Sequence, residues 1–269
     1  MGNVTGHFYR ADDGAPVYEI TGANGRRRAP TLRDARFGLK GILRPFDIVP
    51  SVTTILHAVG VPHGLVKWKI RNALALAYAN PPGEGEEPGP YIGRLLDLST
   101  AEGESVMDSG TRIHGAIEFR LTRGDWPHDV SDLMPILAPV GEWLDANIAE
   151  VLACEGSFAD PSGVYGGKYD LWAKLKDGRQ ALIDFKSTKR TREPYDEEGE
   201  QLAAYGEGSG CAHNALINVY INTTEPGVRT FDWMSDRRLA RRVLRQWRAK
   251  LKLFQLQNHW WPIPREVSA

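Results

Sequence analysis

The stretch from Tyr169 to Lys186 constrains this chain more than any other part of it. Two apolar runs, Tyr169 to Leu175 and Ala181 to Phe185, flank the turn-forming Lys176-Asp177-Gly178, which is the pattern of a β-hairpin. Each run carries an acid where an apolar residue would complete it, Asp170 in the first and Asp184 in the second. Side chains alternate along a strand, so Lys186, two residues past Asp184, points to the same face. The loop decides whether the two acids meet. A two-residue turn at Asp177-Gly178 pairs Asp170 with Phe185 and sends the carboxylates to opposite faces. A three-residue loop, with Gly178 as a left-handed bulge, pairs Leu175 with Arg179 and Asp170 with Asp184. That register also collects Tyr169, Leu171, Ala173 and Leu175 with Ala181, Ile183 and Phe185 on one apolar face, and leaves Trp172 and Leu182 beside the acids. It is therefore the expected one. Neighbouring carboxylates repel unless a cation offsets them, and hard divalent ions favour oxygen ligands, so the residues point to a metal site.

Further elements fall in a recognisable order around this hairpin. Upstream, Val106, Ile113 and Ile117 recur at helical spacing as a buried stripe, Gly110 permits close packing, and His114 and Glu118 lie one turn apart on the adjoining face. Downstream, Gln201 and Tyr205 stand at i and i+4 on one face of a predicted helix. The series Gly110-x-x-x-His114-x-x-x-Glu118, Gly167-x-x-Asp170, Asp184-Phe185-Lys186 and Gln201-x-x-x-Tyr205 resembles the PD-(D/E)xK nucleases, RecB-type branch. The resemblance implies an α/β fold, a mixed central β-sheet flanked by helices around a restriction-endonuclease-like core, with a helical N-terminal portion over the cleft. It implies that Asp170, Asp184, His114 and the carbonyl of Phe185 hold one or two Mg²⁺ or Mn²⁺ ions. In the same way it implies that Lys186 positions or helps deprotonate the attacking water, while Gln201 and Tyr205 border the site. Glu118 would orient His114 or a neighbouring base, and Glu155 would serve as a structural or supporting acid.

The segment Pro50-Ser51-Val52-Thr53-Thr54-Ile55-Leu56, followed by Trp68-Lys69, is similar to the entry segment of phage and mitochondrial single-strand exonucleases of this branch. Ser51 and Thr53 have two readings, as caps of a helix or as contacts to a DNA phosphate. The implied function is a metal-dependent DNA nuclease, an exonuclease acting on single-stranded or frayed ends in replication, recombination or repair in a phage or bacterium. The alternative is a non-catalytic DNA-binding or assembly subunit that keeps the fold. Such descendants normally lose an acid or the lysine, and here Asp170, Asp184 and Lys186 are all present.

Composition sets the outer bounds. With 269 residues, 42% of them apolar and 25% charged, the chain suits one large globular domain, with 1–100 as an N-terminal elaboration and 235–257 as a basic C-terminal helix. Lysine plus arginine number 33 against 34 acids, so any DNA-binding surface must be local. Three basic groups qualify: Arg26 to Arg28; Lys189, Arg190 and Arg192 just past the second strand; and the last helix, with Arg237, Arg238, Arg241, Arg242, Arg245, Arg248, Lys250 and Lys252. Arg241 and Arg245 are named as DNA contacts with Lys189 and Arg190, against the plainer reading of solvated charge. Two cysteines exclude a disulfide framework and a four-cysteine iron–sulfur cluster. No apolar leader or membrane-length run is present, and a cytoplasmic protein without membrane association is expected. Met1-Gly2 with Thr5 matches a myristoylation pattern by accident.

Periodicity fills in the remaining elements. Residues 7 to 49 read as short strands with turns, Pro50 through Trp68 and Trp68 to Tyr78 as helical, and Pro81 to Pro90 as an exposed loop. A helical pattern runs from Met134 to Leu152. A second hairpin joins Ala215 to Ile221 with Val228 to Trp233. Ser235 is the expected cap of the last helix, which buries Leu239, Val243, Trp247, Leu251 and Phe254.

Overall fold

The structure, a computed structural model, describes residues 6–22, 24–60 and 63–262, with the backbone alone at 63–65, 68 and 102–107. Short strands open the chain, as their residues predict. β1 (Phe8–Arg10), β2 (Pro16–Val17) and, later, β5 (Ile48–Pro50) form a small antiparallel sheet, while β3 (Ile20–Thr21) pairs with β4 (Arg27–Arg28). Between them lies α1 (Leu32–Phe37), which strand-like composition concealed. Its first turn is closed by a reciprocal cap: the Thr31 hydroxyl accepts from the Asp34 N–H, and the Asp34 carboxylate accepts from the Thr31 N–H. Next, α2 (Val52–Val59) ends at Gly60 and α3 (His63–Ala79) begins anew, so the run expected through Trp68 is two helices. After an exposed loop, α4 (Pro88–Arg123) extends for 36 residues. The side chains of Trp68 and Val106, like Met1, Gly2 and Thr5, lie outside the described ones.

A short 3₁₀ turn (Ser131–Leu133) leads into α5 (Met134–Asn147), which stops earlier than its periodicity suggests. From Ile148 the backbone pairs with a neighbouring strand, and β6 (Ile148–Ala159) takes over. Then come β7 (Gly166–Leu175), β8 (Gln180–Thr188), α6 (Asp196–Gly208), the second hairpin β9 (Ala215–Asn222) and β10 (Gly227–Asp232), and α7 (Arg237–Asn258). The cap of α7 is Asp236, which accepts from Arg238 and Leu239, rather than Ser235. A carboxylate one residue closer simply takes the free amides.

The central sheet has the order β10-β9-β8-β7-β6, antiparallel except for the parallel β8–β9 pair that α6 connects. This is a mixed α/β fold. One face packs against α4 and α5 through Ile113, Ile117, Leu137, Leu171, Ile183 and Phe185. The other packs against α2, α6, α7 and the N-terminal strands through Ile55, Leu182, Leu202, Trp247 and Phe254. Covered on both faces, β9 has every residue buried, which accounts for its nearly unbroken apolar sequence. Among the described residues no helix is long and apolar enough to cross a membrane.

The site hairpin adopts the three-residue loop. Gly178 has φ +89°, the Leu175 N–H donates to the Arg179 carbonyl, and the ladder pairs Leu171 with Ile183 and Ala173 with Ala181. The ladder ends at Leu171–Ile183 and does not include the expected Asp170–Asp184 pair. Tyr169 is an exception to the expected face: its ring fills the space left by Gly156, where a Cβ would lie 2.2 Å from it, and joins the α6–α7 layer.

Candidate metal centre

The hairpin ladder stops at Leu171–Ile183, and beyond it Asp170 replaces a strand partner with its side chain. Its Oδ2 accepts from the Phe185 N–H at 2.7 Å, which seats the carboxylate in the gap between β7 and β8. Two close approaches bring the helices to this gap. On one side Gly110 of α4 lies so near β8 that a Cβ would be 3.3 Å from the Ser187 hydroxyl. One turn later His114 therefore reaches the gap, with Nδ1 3.5 Å from Asp170 Oδ2 and its ring edge-on to Phe185. On the other side Gly167 lets α6 settle, since a Cβ there would be 2.8 Å from the Tyr205 ring. Gln201 and Tyr205 are thereby turned toward β8. The glycines of both motifs are packing requirements as much as signatures.

Two groups of side chains result. In the first, ligand atoms of His114, Glu155 and Asp170 all lie within 4.8 Å of one another, a spacing that suits a single ion. In the second, Asp184 accepts from Lys186 Nζ at 2.8 Å and from Asn218 Nδ2 at 2.9 Å, while Lys186 also donates to Gln201 Oε1 at 3.1 Å. Gln201 Nε2 donates to the Tyr205 hydroxyl at 2.7 Å and reaches Asp184 Oδ1 at 3.4 Å. The expected sharing of an ion by Asp170 and Asp184 is thus modified: Glu155 stands in the tight cluster, and Asp184 is turned to Lys186 and Asn218. Electrostatically the two groups remain one site. Burial and then the charge of Asp184 push the Asp170 carboxyl well above its ordinary range.

Protonation states follow from the same surroundings. Burial lowers the pKa of His114, with Asp184 opposing it, so the imidazole is neutral and has a lone pair to offer. For Lys186, burial alone would favour the neutral amine, but Asp184 and Asp170 more than reverse this and its pKa is raised. It is an ammonium here, and cannot take a proton while Asp184 holds it. Tyr205 stays a neutral phenol because burial raises it well above its usual value.

Glu155 was expected only as a structural or supporting acid. Its backbone sits at φ +53°, a left-handed conformation that a non-glycine residue adopts at a cost, and this aims the carboxylate at His114 and Asp170 while Lys168 pairs with it. The legible signal was an acid within a strand. Glu118 is exposed and makes no hydrogen bond to His114 among the described residues; its charge is felt at Lys168 and Cys154 instead. Asn218 was missed altogether, although one amide inside the apolar run Ala215 to Ile221 marked it.

The expected DNA contacts divide. Ser51 is buried and its hydroxyl is committed: it accepts from the Thr54 N–H at 3.0 Å and contacts the hydroxyls of Thr53 and Thr54. It acts as the cap of α2, and Thr53, half-buried, is bonded to it, so the phosphate reading of this pair is not supported by the geometry. Lys189 and Arg190 are exposed immediately past β8. Arg192, by contrast, is pinned by Glu198 and lies over the Tyr195 ring at 4.0 Å, where it secures the start of α6. Arg28 is likewise held, in two hydrogen bonds to the buried Asp34. Much of α7's positive charge is spent on α6: Arg242 on Asp196, Arg248 on Glu207, Lys250 on Glu200. Arg237, Arg238, Arg241 and Arg245 remain exposed, without an ion-pair partner among the described residues.

The donor set fits a divalent ion. One imidazole nitrogen and two carboxylates offer net negative charge and hard to borderline ligands, which suit Mg²⁺ or Mn²⁺ and favour Mn²⁺ slightly. No protein-family model matches the chain, and no curated protein does. A solved structure described as the crystal structure of SSO0001 is similar over 53% of this chain and 72% of its own, with 16% identity and a TM-score of 0.29.

Proposed function

We propose that the protein is a metal-dependent deoxyribonuclease, acting as an exonuclease on single-stranded or frayed DNA ends. One observation carries the reading: the ion-sized cluster of His114, Glu155 and Asp170 adjoins the Asp184, Lys186 and Gln201 group in the middle of β6, β7 and β8, close enough for the charge of Asp184 to act on both Asp170 and His114. A Mg²⁺ or Mn²⁺ ion held there supplies Lewis acidity at a phosphoryl oxygen and makes water acidic enough to attack near neutral pH. The chain's own groups do the rest. His114, Glu155 and Asp170 supply the ligands, and Asp184 completes the site when its carboxylate turns from Lys186.

Lys186, released from part of that ion pair, faces the scissile phosphate and offsets the charge that grows on it in the transition state. Gln201 holds Lys186 and Asp184 at a fixed separation, and Tyr205 keeps the Gln201 amide in place. The exposed Arg237, Arg238, Arg241 and Arg245 of α7, with Lys189 and Arg190, suit a DNA backbone. The test is digestion of end-labelled single and double strands with Mg²⁺, Mn²⁺ or chelator, with Lys186→Ala as control. Metal-dependent shortening of single strands that Lys186→Ala loses by about a hundredfold or more supports the reading. A folded, metal-binding protein that leaves single strands, duplexes and flaps uncut turns it to a non-catalytic DNA-binding subunit.

A further inference from the structure

Asn218 stands beside Asp184 in the parallel β8–β9 ladder, so the two side chains share a face of the sheet. It is fully buried in a strand that is otherwise nearly all apolar, and a buried amide is costly unless both of its ends are paired. Here both are. Its Oδ1 accepts from the Trp233 indole N–H at 2.7 Å, and its Nδ2 donates to Asp184 Oδ2 at 2.9 Å. An indole N–H can only donate, so the amide oxygen must face Trp233 and the amino group must face Asp184. The orientation is dictated by chemistry.

Trp233 is held just as firmly. It is fully buried, edge-on to Phe231 at 4.8 Å, and so close beneath α6 that a Cβ at Gly199 would lie 2.5 Å from its ring. One helix therefore acts on both oxygens of Asp184. Gln201 of α6 approaches Oδ1 directly, and Gly199 of α6 locks the Trp233 that orients the donor to Oδ2.

We propose that Asn218, locked by Trp233, is a positioning residue that anchors Oδ2 of Asp184, so that Oδ1, which accepts from Lys186 Nζ at 3.1 Å, is the oxygen the metal centre takes when Lys186 gives it up. The inference rests on the metal-centre reading given above. Without the Asn218 donor, Asp184 pivots about Lys186 and its carboxylate no longer meets the ion in one geometry. Trp233→Phe removes the N–H and keeps an aromatic ring, which frees the amide to turn. Asn218→Leu removes the donor at similar volume.

Titration with Mn²⁺ alone, followed by calorimetry, tests this without any substrate. Both variants are expected to bind Mn²⁺ about tenfold or more weakly than wild type, the scale on which outer partners of metal ligands act. On a single-stranded oligonucleotide kcat falls and KM stays the same. In an Asp184→Asn background neither substitution weakens Mn²⁺ binding further, because its effect passes through Asp184. A role in packing alone would lower the melting temperature and leave Mn²⁺ affinity and kcat as in wild type, and that result overturns the proposal. Trp233→Phe decides the matter by itself if Asn218→Leu does not fold. Wild-type protein that binds Mn²⁺ but cuts no DNA defeats the nuclease reading alone, and the variants' affinities still decide this one. Wild type without Mn²⁺ binding defeats both.

Discussion

Asp170 keeps its proton more tightly in the folded protein than in the unfolded chain, where the ordinary value is 3.8, because burial and Asp184 both disfavour its anion. The native state therefore binds more protons than the unfolded one above that value. Stability of the metal-free protein falls as pH rises from the unfolded pKa to the raised native one, and the deficit persists above it. Asp170→Asn removes the deficit. In chelator we expect it to raise the melting temperature by about 2–4 °C at about pH 7 and to change little at about pH 3. Calorimetric scans at the two pH values check this, and an equal shift at both would show that charge is not the cause. The same variant loses Mn²⁺ binding. Glu155 carries the other residue-scale cost of the site, a left-handed backbone worth about 1–2 kcal/mol, retained where its carboxylate completes the cluster.

Helices α6 and α7 are joined by pairs of very different worth. Glu200 is buried and Lys250 is its partner, whereas Arg242 and Arg248 meet Asp196 and Glu207 near the surface. Exposed pairs contribute about 0–1 kcal/mol each. Removing one partner of a buried pair leaves an uncompensated charge, so Lys250→Met is expected to cost about 3–5 kcal/mol, and adding Glu200→Met to restore most of it. Urea denaturation of the single and double variants measures the difference; a double variant no better than Lys250→Met would refute the argument. The same packing determines which arginines of α7 stay exposed without an ion-pair partner among the described residues. Replacing Arg241 and Arg245 together with alanine should weaken single-strand binding and reduce the slope of log affinity against log salt by about 1.4, at about 0.7 for each phosphate no longer neutralised. An unchanged slope makes this face of α7 merely solvated.

At the scale of the whole molecule, both layers of the fold converge on the middle of strands β6 to β9. The α4 layer delivers His114, the α6 layer delivers Gln201 and Tyr205, and β6 to β9 deliver Glu155, Asp170, Asp184 and Asn218. An ion held by His114, Glu155 and Asp170 would tie α4, β6 and β7 together. Mn²⁺ at a hundred times its Kd should therefore stabilise the native protein by about 2.7 kcal/mol, read as a rise in melting temperature that Asp170→Asn lacks.

The sequence alone determined the hairpin and its register, because a strand's two-residue alternation and a glycine bulge leave one arrangement that both buries the apolar residues and brings the acids together. It also determined the buried face of α7, since periodicity is a local property, while the mixed α/β class was what the motif resemblance implied. Only the tertiary structure decided the company each charge keeps. That Glu155 joins His114 and Asp170, that Asn218 and Trp233 hold Asp184, that Ser51 is spent on a cap, and that α6 consumes much of α7's positive charge all depend on residues brought together by packing. The physical reason is range. Backbone geometry and apolar pattern are set by neighbours a few residues away, whereas hydrogen bonds and ion pairs depend on which side chains packing brings within about 3 Å.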